Sequence, residues 1–248
     1  MAHDTPRTAA ALVIGNELLS GKIRDANVSV LARELFALGI TLRRVVICTD
    51  EVDTIADELR ALRSAHDLVF TSGGVGPTHD DVTVDAVAQA LDREVVRAPR
   101  LEELLRRYFG ERLTEGHLRM ADVPAGTELV VGTDSEWPAV RVENVFILPG
   151  LPEIFRLKMP ILREHLAGDR PFVSRSVDTA SDEGRLAPLL DRLVARYPDV
   201  AIGSYPRFGA DGPRVRITFD GRDSDRVAEA AAAFADELPA DQLVGARP

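Results

Sequence analysis

The stretch Thr71-Ser72-Gly73-Gly74-Val75-Gly76-Pro77-Thr78-His79-Asp80-Asp81 concentrates residue types that handle phosphate. Its glycines let the backbone approach a ligand closely, and amides just ahead of a helix N-terminus make a ready anion site. It is not a P-loop, because no Gly-Lys-Ser/Thr closes it, and it lacks the final glycine of a dinucleotide fingerprint. Asp80 and Asp81 stand where a helix dipole favours one negative charge, yet two adjacent carboxylates repel a phosphate unless a cation intervenes. Such oxygen ligands suit Mg²⁺ or a similar hard ion bridging to phosphate. Thr78 to Asp81 also reads as a capping box, with Thr78 as N-cap and Asp81 at N3, and both readings stand for different carboxylates.

Other polar residues fall near the same place. Gly15-Asn16-Glu17 follows an apolar run, so Glu17 is a candidate second acidic ligand or general base, with a solvated first-turn glutamate as the alternative. The loop from Gly15 to Lys22 is one residue too long for a P-loop and has Ile23 where Ser or Thr is required. Asp50 ends a second apolar segment and is either a site acid or a helix N-cap, and Asn27 can cap the helix that runs to Leu38. His79 reads as an exposed loop residue, since His3, His66, His117 and His165 show no metal spacing. Cys48 reads as a small buried hydrophobe. Trp137 and Pro138 lie in what reads as a polar loop, where the indole could stack on a nucleobase or isoalloxazine or simply pack locally.

These residues need a scaffold, and the apolar periodicity supplies one. Ala10 to Ile14, Leu42 to Thr49 and Asp67 to Thr71 read as strands. Between them Val28, Leu31, Leu35 and Leu38, then Ile55, Leu59 and Leu62, recur at helical spacing, and Val84, Val87, Ala88 and Leu91 continue it after the glycine turn. Strands alternating with helices imply a mostly parallel sheet with ligands at the carboxyl ends of its strands. Both glycine loops would share that edge. Arg97 to Met120 reads as a charged helical excursion, and Val145 to Leu148 as the last core strand before Pro149-Gly150-Leu151-Pro152. Beyond a boundary near residue 169, strand and helix patterns follow in the order β-α-β-β-α-β, which suits a small two-layer α+β unit over residues 170–248.

Composition bounds the function. The 248 residues are 45% hydrophobic, enough for a large core or a main domain with a smaller companion. A net charge of −10 works against nucleic-acid binding. No membrane-length apolar run is present, and the start, Met1-Ala2-His3-Asp4-Thr5-Pro6-Arg7, lacks an apolar signal core, so a cytoplasmic location is expected, with no membrane partner. A single cysteine excludes an internal disulfide and a cysteine-based zinc site.

Ile14-Gly15-Asn16-Glu17-Leu18-Leu19-Ser20-Gly21, then Asn27, then Thr71 to Thr83, resembles the molybdopterin-binding-like superfamily, which includes molybdopterin adenylyltransferases and the N-terminal domain of CinA. The resemblance implies a three-layer α/β sandwich over residues 1–169 and chemistry at a pyrophosphate. Where CinA-like proteins carry Asn-Pro-x-Gly-Thr-Ala-Pro-Gly, this chain has Val131-Gly132-Thr133-Asp134-Ser135-Glu136-Trp137-Pro138. That form, with Leu148 to Glu153 and Gly203-Ser204-Tyr205-Pro206, is similar to the N-terminal domain of eukaryotic FAD synthase. The likeness implies metal-dependent hydrolysis of FAD to FMN and AMP, and the CinA likeness implies hydrolysis of ADP-ribose.

Carried over, Asp50 and Asp81 match acidic positions essential to adenylyl transfer, with Asp80 and Glu17 completing the shell. Asp80 and Asp81 are the expected ligands of Mg²⁺, Mn²⁺ or Co²⁺, with K⁺ as a candidate monovalent ion. Gly15, Asn16, Asn27, Thr71, Gly73, Gly74, Gly76, Pro77, Thr78, Thr83, Gly132 and Thr133 are the expected phosphate and substrate contacts. The leading expectation is a nucleotide pyrophosphatase acting on a nucleotide-type small molecule, assembled as a homo-oligomer. The alternatives are adenylyl transfer to molybdopterin and a non-catalytic oligomeric binding module.

Overall fold

The computed structural model describes residues 6–168, 170–209, 212–239 and 241–247. His3 with its neighbours at the start, and Asp169 at the expected boundary, lie outside these residues. The chain divides into two compact units, Met1–Asp169 and Arg170–Pro248.

In the first unit the elements run β1 (Thr8–Ile14), α1 (Asn16–Leu19), α2 (Val28–Ala37), β2 (Thr41–Cys48), α3 (Val52–Ala65), β3 (Leu68–Ser72) and α4 (Thr83–Ala90). The second half runs β4 (Val95–Arg97), α5 (Pro99–Phe109), α6 (Glu115–Arg119), β5 (Asp122–Pro124), β6 (Glu128–Gly132), β7 (Ser135–Val142), β8 (Val145–Leu148) and α7 (Pro152–Leu166). The main sheet has the order β2-β1-β3-β8-β7-β6. β2, β1, β3 and β8 are parallel neighbours, whereas β8, β7 and β6 form an antiparallel meander.

From Ala9 to Ile14 β1 is an unbroken apolar run because it is buried on both faces, as a central parallel strand must be. Ala9 and Ala11 join Leu31, Leu35, Phe155 and Met159 of α2 and α7, while Ala10, Leu12 and Ile14 join Ile55, Leu59 and Val87 of α3 and α4. Helices therefore cover both faces of the sheet, giving a three-layer sandwich. Phe70 of β3 stacks on Phe146 of β8 with ring centroids 5.2 Å apart, tying the centre of the sheet together. β4 and β5 pair as a separate ribbon beside α5 and α6, so the excursion read as helical carries strands at both ends.

The register decides what meets at the edge. Val13 pairs with Ser72, Ser72 with Leu148, and Ile14 with Cys48. The loops that follow β1, β2, β3 and β8 therefore leave the sheet side by side.

Four local expectations are corrected. Helix α4 starts at Thr83 with Val82 before it, so no capping box forms at Thr78. Asn27 occupies the N-cap position of α2 without capping it, and Asp25 Oδ1 accepts the Val28 N–H instead at 2.9 Å. Glu51 rather than Asp50 precedes α3. Trp137 lies within β7 and not in a loop.

The second unit runs β9 (Val173–Thr179), α8 (Glu183–Arg196), β10 (Ala201–Gly209), β11 (Gly212–Gly221), α9 (Ser224–Glu237) and β12 (Leu243–Arg247), with sheet order β10-β11-β9-β12. Its own core gathers Val177, Ile217 and Phe219 with Leu193, Tyr197 and Phe234. No helix among the described residues is long and apolar enough to cross a membrane.

Candidate functional site

A cavity of about 570 Å³ opens where the parallel strands end. Its walls bring together Glu17, Asn27, Asp50, Gly73, Gly74, Gly76, Asp80 and Asp81, residues drawn from three separate loops. The strand register produces this gathering, since it sets Glu17 and Asn27 from the segment after β1 and Asp50 from the loop after β2 beside the glycine loop after β3.

The glycine loop has no room for side chains. A Cβ at Gly73, whose φ is +109°, would sit 2.2 Å from the Ile14 carbonyl oxygen, and one at Gly74 would sit 2.4 Å from Thr83 Oγ1. Two bonds anchor the far end: fully buried Thr83 donates its hydroxyl to the Gly73 carbonyl at 2.8 Å, and its amide donates to the Gly74 carbonyl at 2.9 Å. The Gly73 amide is spent on Leu148. Among the described residues no protein acceptor takes the amides of Gly74, Val75 or Gly76. Free amides ahead of the α4 N-terminus are the geometry of an anion cradle.

Carboxylates ring this cradle. Asp81 lies over Gly76 and accepts both the amide and the hydroxyl of Thr78, which closes the turn and leaves Thr78 outside the cavity wall. Asp80 borders the cavity with its side chain 64% exposed, beside a His79 that is almost wholly exposed. Asp50 Oδ2 accepts the Asn16 amide at 2.8 Å, which locks the loop after β2 to the loop after β1. Glu17 is half-buried and folds back over Gly15. No three His, Cys, Asp or Glu side chains converge into a metal cage among the described residues. The donor set fits a hard cation held by one or two carboxylates and completed by substrate oxygens and water, which is the usual manner of Mg²⁺.

Asn27 is buried at 3% exposure, and its amide group bridges Ser72 Oγ at 2.9 Å and the Gly150 carbonyl at 2.7 Å. Its Oδ1 is buried with no donor, a state that costs about 1–3 kcal/mol unless a ligand satisfies it. Thr71 Oγ1 is likewise buried and unpaired, but Thr71 does not line the cavity. Gly15, Asn16, Pro77 and Thr83 support the walls without lining them. Gly132 and Thr133 are not brought to this cavity. They border a different one with Arg100 and Glu136, and Glu164 Oε2 takes both the amide and the hydroxyl of Thr133, at 2.9 and 3.0 Å.

Two groups escaped the sequence reading. Arg24 lines the cavity, exposed and in none of the ion pairs among the described residues, so its charge is available to a phosphate. Lys158 of α7 is buried at 9% exposure, and its amine donates to the carbonyls of Trp137 at 3.1 Å and Pro138 at 2.8 Å. A lysine among the apolar positions of a helix is the only signal the sequence offered for it. Cys48 is buried, and burial with the nearby Glu58 and Asp50 carboxylates pushes its thiol up to about 11, which suits an inert core residue.

Residues 10–166 match the family model described as "Probable molybdopterin binding domain". The chain belongs to the molybdopterin-binding domain family. Residues 171–247 match the model of the FAD synthase middle domain, so a second family segment follows the molybdopterin-binding domain. A protein of Archaeoglobus fulgidus is 33% identical over 91% of this chain and 95% of its own length. A "Probable FAD synthase" of Caenorhabditis elegans is 30% identical over 96% of this chain, which spans 51% of that relative's length. Among solved structures, CinA from Thermoplasma acidophilum, itself described as of unknown function, superposes with a TM-score of 0.59 at 26% identity. That match covers 65% of this chain and 98% of CinA, and it accounts for the α/β fold of the molybdopterin-binding domain.

Proposed function

We propose that the chain is a divalent-metal-dependent nucleotide pyrophosphatase that hydrolyses FAD, ADP-ribose or a related dinucleotide to AMP and a second phosphate product. The observation that carries this reading is the set of free amides at Gly74, Val75 and Gly76 set among Glu17, Asp50 and Asp81. The amides and Arg24 would hold one phosphate of the substrate, while Asn27 Oδ1 would accept a ribose hydroxyl.

A divalent ion held by Asp80 and Asp81 would neutralise charge on the bridging pyrophosphate. Glu17 or Asp50 would take the proton from a water whose oxygen forms a new bond to one phosphorus. The bridging P–O bond then breaks, and its electron pair leaves with the other phosphate. The kinship with proteins named FAD synthase supports a nucleotide-type ligand.

The test is to incubate the purified protein with FAD, ADP-ribose, NAD and ATP under Mg²⁺, Mn²⁺ or Co²⁺, with and without K⁺, and to follow AMP by chromatography. Release of AMP from a dinucleotide is expected, with Asp81→Asn losing at least about 100-fold in kcat. No turnover under any metal ends the reading. Transfer of AMP from ATP to molybdopterin in its place identifies an adenylyltransferase.

A further inference from the structure

The segment that joins β1 to α2 is fixed at its two ends. In front, Asp50 holds the Asn16 amide, and behind, Asn27 is bonded to Ser72 and to the Gly150 carbonyl. From residue 17 to residue 24, every hydrogen bond found among the described residues closes on the segment itself or on Gly15 and Asn16. The Glu17 carbonyl alone accepts the amides of Lys22 and Ile23, at 2.9 and 3.2 Å, and the Ser20 hydroxyl at 3.3 Å. The segment is a self-contained turn that can swing between its anchors without losing a hydrogen bond to any other element.

Its side chains are wrong for a free loop. Ile23 borders the phosphate cavity and is 57% exposed. β1 and β8 flank β3 on either side, so the start of α7 borders the same cavity from beyond the glycine loop. There Leu151 and Ile154 are 59% and 41% exposed, so Ile23 and Leu151 do not cover each other. Single exposed apolar residues need no explanation, but a facing set on both flanks of a cavity built for phosphate does. The α7 flank is the fixed one, because Asn27 holds the Gly150 carbonyl just ahead of Leu151. The other flank carries Arg24, next to Ile23, which borders the cavity and joins no ion pair among the described residues.

Building on the reading of this cavity as a phosphate site, we propose that residues 17–26 are a strap that closes over bound phosphate and retains it. On closing, Arg24 pairs with a phosphate oxygen, and Ile23 packs on Leu151 and Ile154, burying apolar surface that the open state leaves in water. A ligand shifts such an equilibrium only by binding one state better than the other, and the Arg24–phosphate pair supplies that difference. The strap adds the same binding to substrate and to transition state, so it acts on ligand release.

Cys48, the sole cysteine, is buried, so introduced thiols report alone. In the full chain, Ile23→Cys is combined with Leu151→Cys, and disulfide formation by diamide is timed with and without inorganic pyrophosphate and Mg²⁺. The bond forms only when the two Cα atoms come within about 7 Å, the approach that closure makes. Pyrophosphate with Mg²⁺ is expected to speed cross-linking at least tenfold. A ligand that merely fills the cavity shields the thiols and slows the reaction, so the sign separates closure from occupancy. Arg24→Gln in the same chain is expected to abolish the acceleration while the rate without ligand changes less than twofold. Without introduced thiols, Ile23→Ala and Leu151→Ala should each speed pyrophosphate release about fivefold in stopped flow, and the double variant no more than the stronger single one.

Cross-linking that is unchanged or slowed by the ligand, acceleration that survives Arg24→Gln, additive effects of the two alanine variants, or pyrophosphate that fails to bind overturns the proposal. The outcome does not depend on turnover. Ligand-driven cross-linking without AMP release keeps the strap and loses the hydrolase, and AMP release from a dinucleotide with an unchanged cross-link does the reverse.

Discussion

Two turns of this chain look alike in sequence and differ in what they can do. Gly73 to Gly76 and Gly132-Thr133 both offer glycine next to small polar residues, the composition of a phosphate contact. In the first, a hydroxyl of the following helix and a carbonyl of the neighbouring strand both bind Gly73, and the amides of Gly74, Val75 and Gly76, in a loop that lines a cavity, have no acceptor among the described residues. In the second, one carboxylate oxygen of Glu164 consumes both donors of Thr133. Binding capacity is thus what remains unpaired after the fold has satisfied its own polar groups. Residue type cannot report that remainder.

The sharpest way to break the contrast is Gly73→Ala. Its Cβ would collide with the Ile14 carbonyl at 2.2 Å, in a conformation that side chains rarely adopt. A loss of about 2–4 kcal/mol in urea denaturation is expected, together with loss of AMP release.

Lys158→Met comes next, read through pH. In the folded chain burial lowers the Lys158 amine to about 8 from an ordinary 10.5. Below pH 8 the ammonium penalty is present in full, and between 8 and 10.5 the folded chain has shed a proton that the unfolded chain keeps, so stability rises with pH. The stability of Lys158→Met relative to the parent should therefore fall by up to about 3 kcal/mol across that window, measured by denaturation at several pH values. A pH-independent difference would show that the amine is not held as described.

Arg24→Ala should raise KM for the dinucleotide about five- to tenfold with kcat within about twofold, as expected for a group that binds substrate and transition state alike. The smallest effect belongs to the other turn. Thr133→Val should change kcat/KM by less than about twofold, and a larger loss would mean that the Thr133–Glu164 pair opens toward substrate.

The alternating β/α order, the glycine loop and the carboxylates Asp50, Asp80 and Asp81 were legible because each is a local pattern: apolar period, turn chemistry, residue type at a strand end. The six-element order β-α-β-β-α-β of the second unit was legible for the same reason. Capping, one of the readings open for Thr78, Asn27 and Asp50, forms at none of them. At each position a residue with the right side chain for a helix cap had a stronger partner supplied by another part of the chain, or by a turn that ends before the helix begins.

What the sequence determined by itself is therefore the set of chemical groups and the elements that carry them. Which groups face a cavity, and which are already spent, only the tertiary structure decided. Asn27 reaches Gly150 across 123 positions, and Lys158 is buried by strands that its own helix covers. Both outcomes depend on strand register and burial, and these are properties of the packed sheet that no local window of residues contains.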